Sequence, residues 1–337
     1  MIKLKDLALE LGLSQTTVSR ALNGYPEVNE QTRIRVADAA LRHGYRPNDS
    51  ARRLATGRCN AVGVVVEPAG ELHISELLIG MGSRFSREEI DIVITPLEPN
   101  PDQTQAYRRL AASRKVDAVV LHSPVPDDPR IPLLESLRMP FVVHGRSEGA
   151  PPHAWLDIDN RQAFYDATAH LLALGHRRIA TINGPSELTF AQHRDAGYSD
   201  AHAAQGLVAD PGLMRHCIFT DENGFRFASE LLQASPRPTA FLAGSMMTAL
   251  GIIRAVRAQG LVVGRDVSLI AHDDGFPYLN ADAMVPRLTT THSPVRLAGK
   301  RIAELMLKRL AGVPVGQLQE LWPVELVVRE STLPPPA

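Results

Sequence analysis

The stretch SQTTVSRALN, residues 14–23, decides how the rest of the chain is read. Taken as a helix, it puts Val18, Ala21 and Leu22 on one side and Gln15, Thr16, Ser19, Arg20 and Asn23 on the other. Ser14 stands where an N-cap belongs, with a side-chain oxygen able to accept an orphan backbone N–H. A solvated helix face usually carries Lys–Glu pairs. This one carries amides, hydroxyls and a single Arg, the groups that read base edges in a major groove.

The flanking sequence fits that reading. Leu4–Leu11 (LKDLALEL) lines up Leu4, Leu7, Ala8 and Leu11 in one stripe and is stopped by Gly12. A three-residue link then leads into the polar helix, as in a helix-turn-helix. A third helix, about 30–43, is expected to turn Ile34, Ala37 and Leu41 toward the same small core, and Gly44 ends it with Tyr45 and Pro47 just beyond. Three helices in fewer than fifty residues predict an all-α DNA-binding headpiece over 1–46.

Charge is distributed accordingly. The chain of 337 residues has 36 Lys and Arg against 37 Asp and Glu, a net charge of −1. Residues 1–58 hold ten basic and six acidic side chains, +4, so the remainder carries −5. A basic head suits phosphate neutralisation, and a mildly acidic body stays off the nucleic acid. With 44% hydrophobic residues and no apolar run near the ~20 of a membrane span, the composition is that of globular material of two or three domains. The first helix begins at once, which leads us to expect no signal peptide and a cytoplasmic protein without membrane contact. Cys59 and Cys217 are far apart in sequence and read as reduced structural thiols.

Residues 47–58 read as a linker holding a short helix, NDSARRLAT, capped by Asn48, with Ala51 and Leu54 on one face. A helix of this length repays its nucleation only against a partner. From residue 60 the pattern changes. AVGVVV (61–66), IDIVIT (90–95), VDAVVL (116–121) and PFVVHG (140–145) alternate with helical segments, and RIATING (178–184), RHCIF (215–219), TAFLAG (239–244) and VSLIAHDD (267–274) repeat the arrangement. Continuous apolar runs between helices mean parallel strands covered on both faces, here in two doubly wound halves. The elements left over at 288–331 imply that the chain crosses back between the halves. We expect one lobe from about 60–157 plus 288–316 and the other from about 160–286 plus 319–332. Ligands bind such bodies beyond the carboxyl ends of the strands. The cleft should therefore draw on Glu67–His73, Ser123–Val125, His144–Arg146, Ser186–Arg194, Phe219–Asp221, Gly244–Met246 and His272–Asp274.

These residues together resemble the lactose/galactose repressor family over essentially the whole chain. The headpiece string LKDLALELGLSQTTVSRALNG with VNEQTRIRVADAALRHGYRPN and ARRLATGR carries the likeness. So do LLALGHRRIATINGP (171–185), RDAGYSDA (194–201), ALGIIRAVRAQGLVVGRDVSLIAHDD (249–274), LTTTHSPVRLAGKRIAELML (288–307) and VVREST (327–332). PFVVHGRS (140–147) with AWLDIDN (154–160) is similar to the α-glucoside-utilisation repressors. The resemblance implies a helix-turn-helix headpiece with a hinge helix, joined to a two-lobed α/β effector domain of the type I periplasmic-binding-protein kind, and no cofactor. It implies a homodimer or a dimer of dimers on palindromic operator DNA, switched by a mono- or disaccharide. Within it, Gln15, Thr16 and Arg20 match base-reading positions. Leu4, Ser14, Thr17, Ser19, Asn23 and Tyr45 match backbone-contact positions, and Leu54, with Asn48 and Ala51, matches the minor-groove hinge. Arg194 matches a ligand-clamping arginine, Asp273 a carboxylate accepting sugar hydroxyl or base N–H bonds, and Phe219 and Phe190 cleft aromatics. Ser245, His144, Arg146 and His73 complete the expected ligand set. Ser245-Met246 stands where many members have Asn-Asp, and Gly145 stands where many have Asp.

Other chemistries find little support. His272, Asp273 and Asp274 alone do not make a metal spacing. No phosphate loop of the G-x-x-x-x-G-K type occurs, and no enzymatic activity is expected. Trp155 reads as core. A sugar sensor without DNA-directed output, and a regulator answering to a purine or a sugar phosphate, are the alternatives.

Overall fold

The computed structural model describes residues 2–22, 24–45, 57–66, 72–97, 102–272 and 275–336. The chain divides into two compact units, Met1–Cys59 and Asn60–Ala337. Asn23, Asn48, Ala51, Leu54 and Asp273, with the proposed hinge helix and the 67–71 and 273–274 parts of the expected cleft, lie outside the described residues.

The first unit contains α1 (Leu4–Leu11), α2 (Gln15–Leu22) and α3 (Glu30–Arg42). Asp6 accepts the Lys3 N–H at 3.0 Å at the start of α1, and Gly12 ends the helix in the left-handed region at φ 65°. Asn29 caps α3 by accepting from the Thr32 N–H at 2.8 Å. Leu7, Ala8, Val18, Ala21, Val28, Val36, Ala39 and Ala40 form the core. The face of α3 therefore differs from expectation. Ile34 and Leu41 are 55% and 83% exposed, and Ala37 is exposed as well. The sets 34/37/41 and 36/39/40 both fit a helical period. The second wins because two alanines let three short helices approach closely around Leu7 and Val18.

The second unit contains β1 (Ala61–Val66), α4 (Leu72–Phe85), β2 (Asp91–Pro96), α5 (Gln103–Ser113), β3 (Ala118–His122), α6 (Arg130–Ser136), β4 (Phe141–His144) and β5 (Trp155–Ile158). There follow α7 (Asn160–Ala173), β6 (Ile179–Asn183), α8 (Thr189–Ala204), β7 (Met214–His216), α9 (Asp221–Leu232), β8 (Ala240–Ala243), α10 (Met246–Ala258) and β9 (Ser268–His272). β10 (Thr289–His292), α11 (Val295–Leu310), β11 (Gln319–Trp322) and β12 (Glu325–Val327) end it. One sheet runs β11-β5-β4-β3-β1-β2 with all pairs parallel. The other runs β12-β10-β9-β8-β6-β7, and only β12 is antiparallel.

The division between lobes needs correction at its end. The segment 288–316 is split, because β10 pairs with β9 in the second lobe while α11 packs on α4 in the first. The segment 319–332 is split too: β11 pairs with β5, and β12 with β10. The chain therefore passes between lobes three times, at 158–160, 292–295 and 322–325. β5, beginning at Trp155, is a strand that the apolar-run pattern did not single out; it is only four residues long and mixes Asp157 with its apolar positions.

Helices meet at glycines. A Cβ on Gly197 of α8 would overlap the Arg161 carbonyl of α7, and one on Gly251 of α10 would overlap the Asp221 carbonyl of α9. The approach at Gly197 seats α8 against α7 with Phe164 and Ala167, and Tyr198 of α8 donates to the Ile179 carbonyl at 2.7 Å. Gly251→Ala is a test of this packing. Helix propensity alone would favour Ala by about 1 kcal/mol. Overpacking against a backbone carbonyl costs about 1–3 kcal/mol or more. We expect a net loss of stability, read as a lower urea midpoint at unchanged slope; a midpoint equal to or above the parent's would mean that α9 and α10 are not this close.

Candidate functional sites

In the first unit, Ser14 accepts the Thr17 N–H at 3.0 Å and its hydroxyl lies 2.8 Å from that of Thr17. This caps α2 and fixes where its first turn points. With Val18 and Ala21 buried, Gln15, Thr16 and Arg20 stand exposed on the other side, and Thr17 and Ser19 are half-buried. Across a shallow groove from Thr16 and Arg20 lie Glu27, Val28 and Asn29. Leu4 and Tyr45 are half-buried against the helical core, where burial pushes the Tyr45 phenol upward. The described part of this face carries one cation and several neutral hydrogen-bonding groups, an arrangement suited to base edges rather than to bulk charge neutralisation.

In the second unit, a cleft between the two sheets is lined from both lobes. From the second lobe come Phe190 and Arg194 of α8, Phe219 after β7, and Ser245. Arg194 is only 4% exposed. Its Nε donates to Asn160 Oδ1 at 2.7 Å and a terminal nitrogen donates to the Gly244 carbonyl at 3.0 Å. Its guanidinium carbon is 4.7 Å from the ring centre of Phe190, 5.1 Å from that of Phe164 and 6.0 Å from that of Phe219. Gly184 and Gly244 give the rings their room, since a Cβ on either would collide with Phe190 or Phe219. Ser245 accepts from the Thr248 N–H at 3.2 Å, so its hydroxyl caps α10 while lining the cleft.

The first lobe supplies His73, His122, His144, Arg146 and Asp157. The three imidazoles cluster with ring centres 5.0, 5.2 and 5.9 Å apart. Behind them Arg130 and Asp128, both buried, lock the loop after β3. Arg130 Nε donates to Asp128 Oδ1 at 2.9 Å, and Arg130 also donates to the carbonyls of His122 and Ser123 at 3.3 and 3.0 Å and to Gln103. Burial alone would raise the Asp128 carboxyl, but the Arg130 hydrogen bonds and charge hold it below the usual range. Asp157 is the opposite case. Burial lifts its pKa to about 6, although Arg146 Nε lies 3.4 Å away and the Ile158 N–H donates to it at 2.9 Å. Two further bonds join the lobes at the cleft mouth: the Thr189 N–H to the Pro124 carbonyl at 3.0 Å, and His193 Nε2 with Glu148 Oε1 at 2.8 Å.

Every expected ligand-set residue that is described, namely His73, His144, Arg146, Phe190, Arg194, Phe219 and Ser245, lines this one cleft. Sequence reasoning missed His122, Asp157 and Asn160. A signal existed for the first: both neighbouring strands end in histidine, at 122 and 144. Asp157 and Asn160 sit at a lobe crossing that periodicity does not mark. Trp155 is half-buried, with the Arg146 guanidinium 6.0 Å from its ring centre.

Comparison with known proteins decides the family. The profile of the periplasmic binding proteins and sugar-binding domain of the LacI family matches residues 60–317, and that of the bacterial regulatory proteins of the lacI family matches residues 3–48. The chain belongs to the LacI family. It is 48% identical to the HTH-type transcriptional regulator AglR of Rhizobium meliloti (strain 1021), over 99% of this chain and 95% of that protein. It is 34% identical to the HTH-type transcriptional regulator RafR of Escherichia coli, over 95% and 96%. Among solved structures, the lac repressor dimer bound to operator and the anti-inducer ONPF aligns with a TM-score of 0.87 at 27% identity, covering 98% of this chain and 99% of that one. The CelR–cellobiose complex aligns with a TM-score of 0.74 at 30% identity, covering 98% and 100%. Like other LacI family members, the protein is a DNA-binding transcriptional regulator with a type I periplasmic-binding-like body, and not an enzyme.

The raised Asp157 carboxyl has a measurable consequence in this LacI family body. A folded-state pKa above the unfolded value stabilises at low pH, and that stability is lost as pH rises from about 4 through about 6. Asp157→Asn cannot ionise. Its stability relative to the parent should therefore climb over that window, by on the order of 3 kcal/mol at most, and level off above it. Parallel stability–pH curves for the two proteins would show that Asp157 ionises as easily folded as unfolded.

Proposed function

We propose that the protein represses a carbohydrate-utilisation operon, and that a small sugar, an α-glucoside, held between the lobes switches its grip on a palindromic operator. The observation that carries this reading is the cleft around Arg194. Phenyl rings offer a flat apolar surface to the C–H face of a sugar. Asn160, Ser245, the imidazoles and Asp157 offer donors and acceptors to its hydroxyl rim. The CelR structure, a complex with cellobiose, is a relative whose ligand is such a sugar. A sugar phosphate fits less well, because Arg146 faces Asp157 and Arg194 is already engaged by Asn160 and a backbone carbonyl.

On this reading Gln15, Thr16 and Arg20 contact bases, and Leu4, Ser14, Thr17, Ser19, Asn23 and Tyr45 contact the DNA backbone. Asn48, Ala51 and Leu54 belong to a hinge that enters the minor groove of the half-site junction. Arg194, Phe190, Phe219, Ser245, His73, His144, Arg146 and Asp273 hold the effector. The protein acts as a homodimer in the cytoplasm. The exposed Ile79, Ile94 and Leu297, on neighbouring elements of the first lobe, are apolar surface that a second copy would cover. Effector binding alters how the lobes pair across that dimer and so spreads or melts the hinge helices. A preference for one state of a few kcal/mol is enough.

Two substitutions separate the two sites. Arg20→Ala should cost about 1–3 kcal/mol of operator binding and relax preference at one base; identical binding-site logos for variant and parent would remove Arg20 from base reading. Arg194→Ala should bind operator as the parent does and stop responding to effector. A thermal-shift screen with maltose, sucrose and trehalose tests the ligand class, since a specific ligand raises the melting temperature by mass action. No shift with any of them at millimolar concentration would count against an α-glucoside.

A further inference from the structure

The inference rests on the α-glucoside reading above and concerns which polar groups of the cleft are left over for a ligand. Two arginines line it, and they are held differently. Arg194 already donates to Asn160 and to the Gly244 carbonyl. Arg146 lies over β5, its guanidinium carbon 6.0 Å from the ring centre of Trp155 and its Nε 3.4 Å from Asp157 Oδ2. Trp155 and Asp157 are two residues apart on that strand and share a face, so one guanidinium meets both. The Asp157 contact is an ion pair without a hydrogen bond: Arg146 Nε has no hydrogen-bond partner, and among the described residues the guanidinium makes no hydrogen bond to the protein.

Asp157 is satisfied on one oxygen. Its Oδ1 accepts from the Ile158 N–H at 2.9 Å and from Asn160 Nδ2 at 3.3 Å. The second bond has a fixed direction, because arginine offers no acceptor: the Asn160 oxygen must face Arg194, which leaves its amide nitrogen for Asp157. Oδ2 accepts no hydrogen bond from the described residues, although the side chain is only 6% exposed and lines the cleft. Buried polar groups are ordinarily paired, so a desolvated carboxylate oxygen beside unspent N–H groups is an arrangement that a ligand completes. We propose that Arg146 and Asp157 together read two neighbouring hydroxyls of an uncharged sugar ring, the guanidinium donating to one and Asp157 Oδ2 accepting from the other. Both bonds are charge-assisted, and each hydroxyl can give and take. A phosphate or carboxylate in the same place would face the Asp157 charge, so the pair selects neutral ligands. Binding is also linked to a proton. With Oδ1 holding two donors, a proton on Asp157 can settle only on Oδ2, where it removes the acceptor. The groups facing this carboxyl are Arg146 from the end of β4, Arg194 from α8 and Asp159 from the crossing segment, with His144 on the neighbouring strand, His73 and His122 beyond it, and the uncharged Leu321 on β11. Burial outweighs the two guanidinium groups and holds the carboxyl at about 6, so affinity should fall as the pH drops through that value.

Calorimetric titration of the full-length protein with maltose and its monodeoxy derivatives tests the proposal. In the parent, removing either of two neighbouring hydroxyls should cost about tenfold or more. Asp157→Asn and Arg146→Gln should each bind maltose about tenfold more weakly at about pH 7.5, and removing the matching hydroxyl should then cost little further. A cleft that was merely loosened would weaken every sugar of the series alike. The parent's affinity for maltose should also decline from about pH 7 to about pH 5 by more than that of Asp157→Asn, since the histidines titrate in both proteins. Variants that melt cooperatively yet bind the whole series as the parent does, or lose every member by the same factor, overturn the proposal. A thermal-shift screen that adds cellobiose and glucose 6-phosphate separates it from the reading beneath it. A parent that binds cellobiose and no α-glucoside sinks that reading alone, and the same variants then decide the subsite on cellobiose and its monodeoxy derivatives. A parent that binds only the phosphate, or no sugar, overturns both.

Discussion

A guanidinium taken out of water is the constraint around which the cleft is arranged. Burying a charge is costly unless hydrogen bonds and polarisable neighbours replace its hydration. Arg194 obtains both from different parts of the chain: Asn160 at a lobe crossing, the Gly244 carbonyl at the end of β8, and the faces of Phe164, Phe190 and Phe219. Each partner is held in turn. Asn160 bonds Asp157 and opens α7; the rings lie where glycines at 184 and 244 leave no side chain in their way. Moving any of these groups would leave the cation without part of its compensation, so the arginine ties strand ends, one helix and a crossing segment into a single rigid wall.

The opposite wall is built on a different principle. There the charges are paired locally, Arg130 with Asp128 and Arg146 with Asp157, and the imidazoles are left to line the cleft. A ligand between the walls meets apolar rings on one side and imidazole rings on the other. Because the chain passes between lobes three times, the walls can shift only as bodies turning about the crossing segments. The bonds of Thr189 to Pro124 and of His193 to Glu148 are the contacts such a turn would break first.

Much of this was legible before any coordinates. The polar face of α2, its Ser14 cap, the glycine at the end of α1 and the two series of apolar strands follow from local periodicity and capping chemistry, which act over a few residues. The strand-end rule then pointed to the right segments of the cleft, Arg194, Phe190, Phe219 and His144 among them. Which face of α3 is buried was not legible, since two stripes fit the same period and only the fit of Val36, Ala39 and Ala40 against Leu7 and Val18 separates them. The lobe membership of β10 and β11 was not legible either: Gln319 of β11 pairs with Trp155, 164 residues earlier, and nothing local marks that β10 stays with β9 before the chain crosses.

The sequence by itself determined the kind of protein: a polar-faced helix in a basic three-helix head, and a doubly wound body with a cleft lined by residues that follow its strands. Those are consequences of residue type at short spacing. Tertiary structure alone decided the register that sets His122 against His144, the burial that lifts Asp157, and the ring cage around Arg194. Each depends on distances between segments that only the packed sheets bring together.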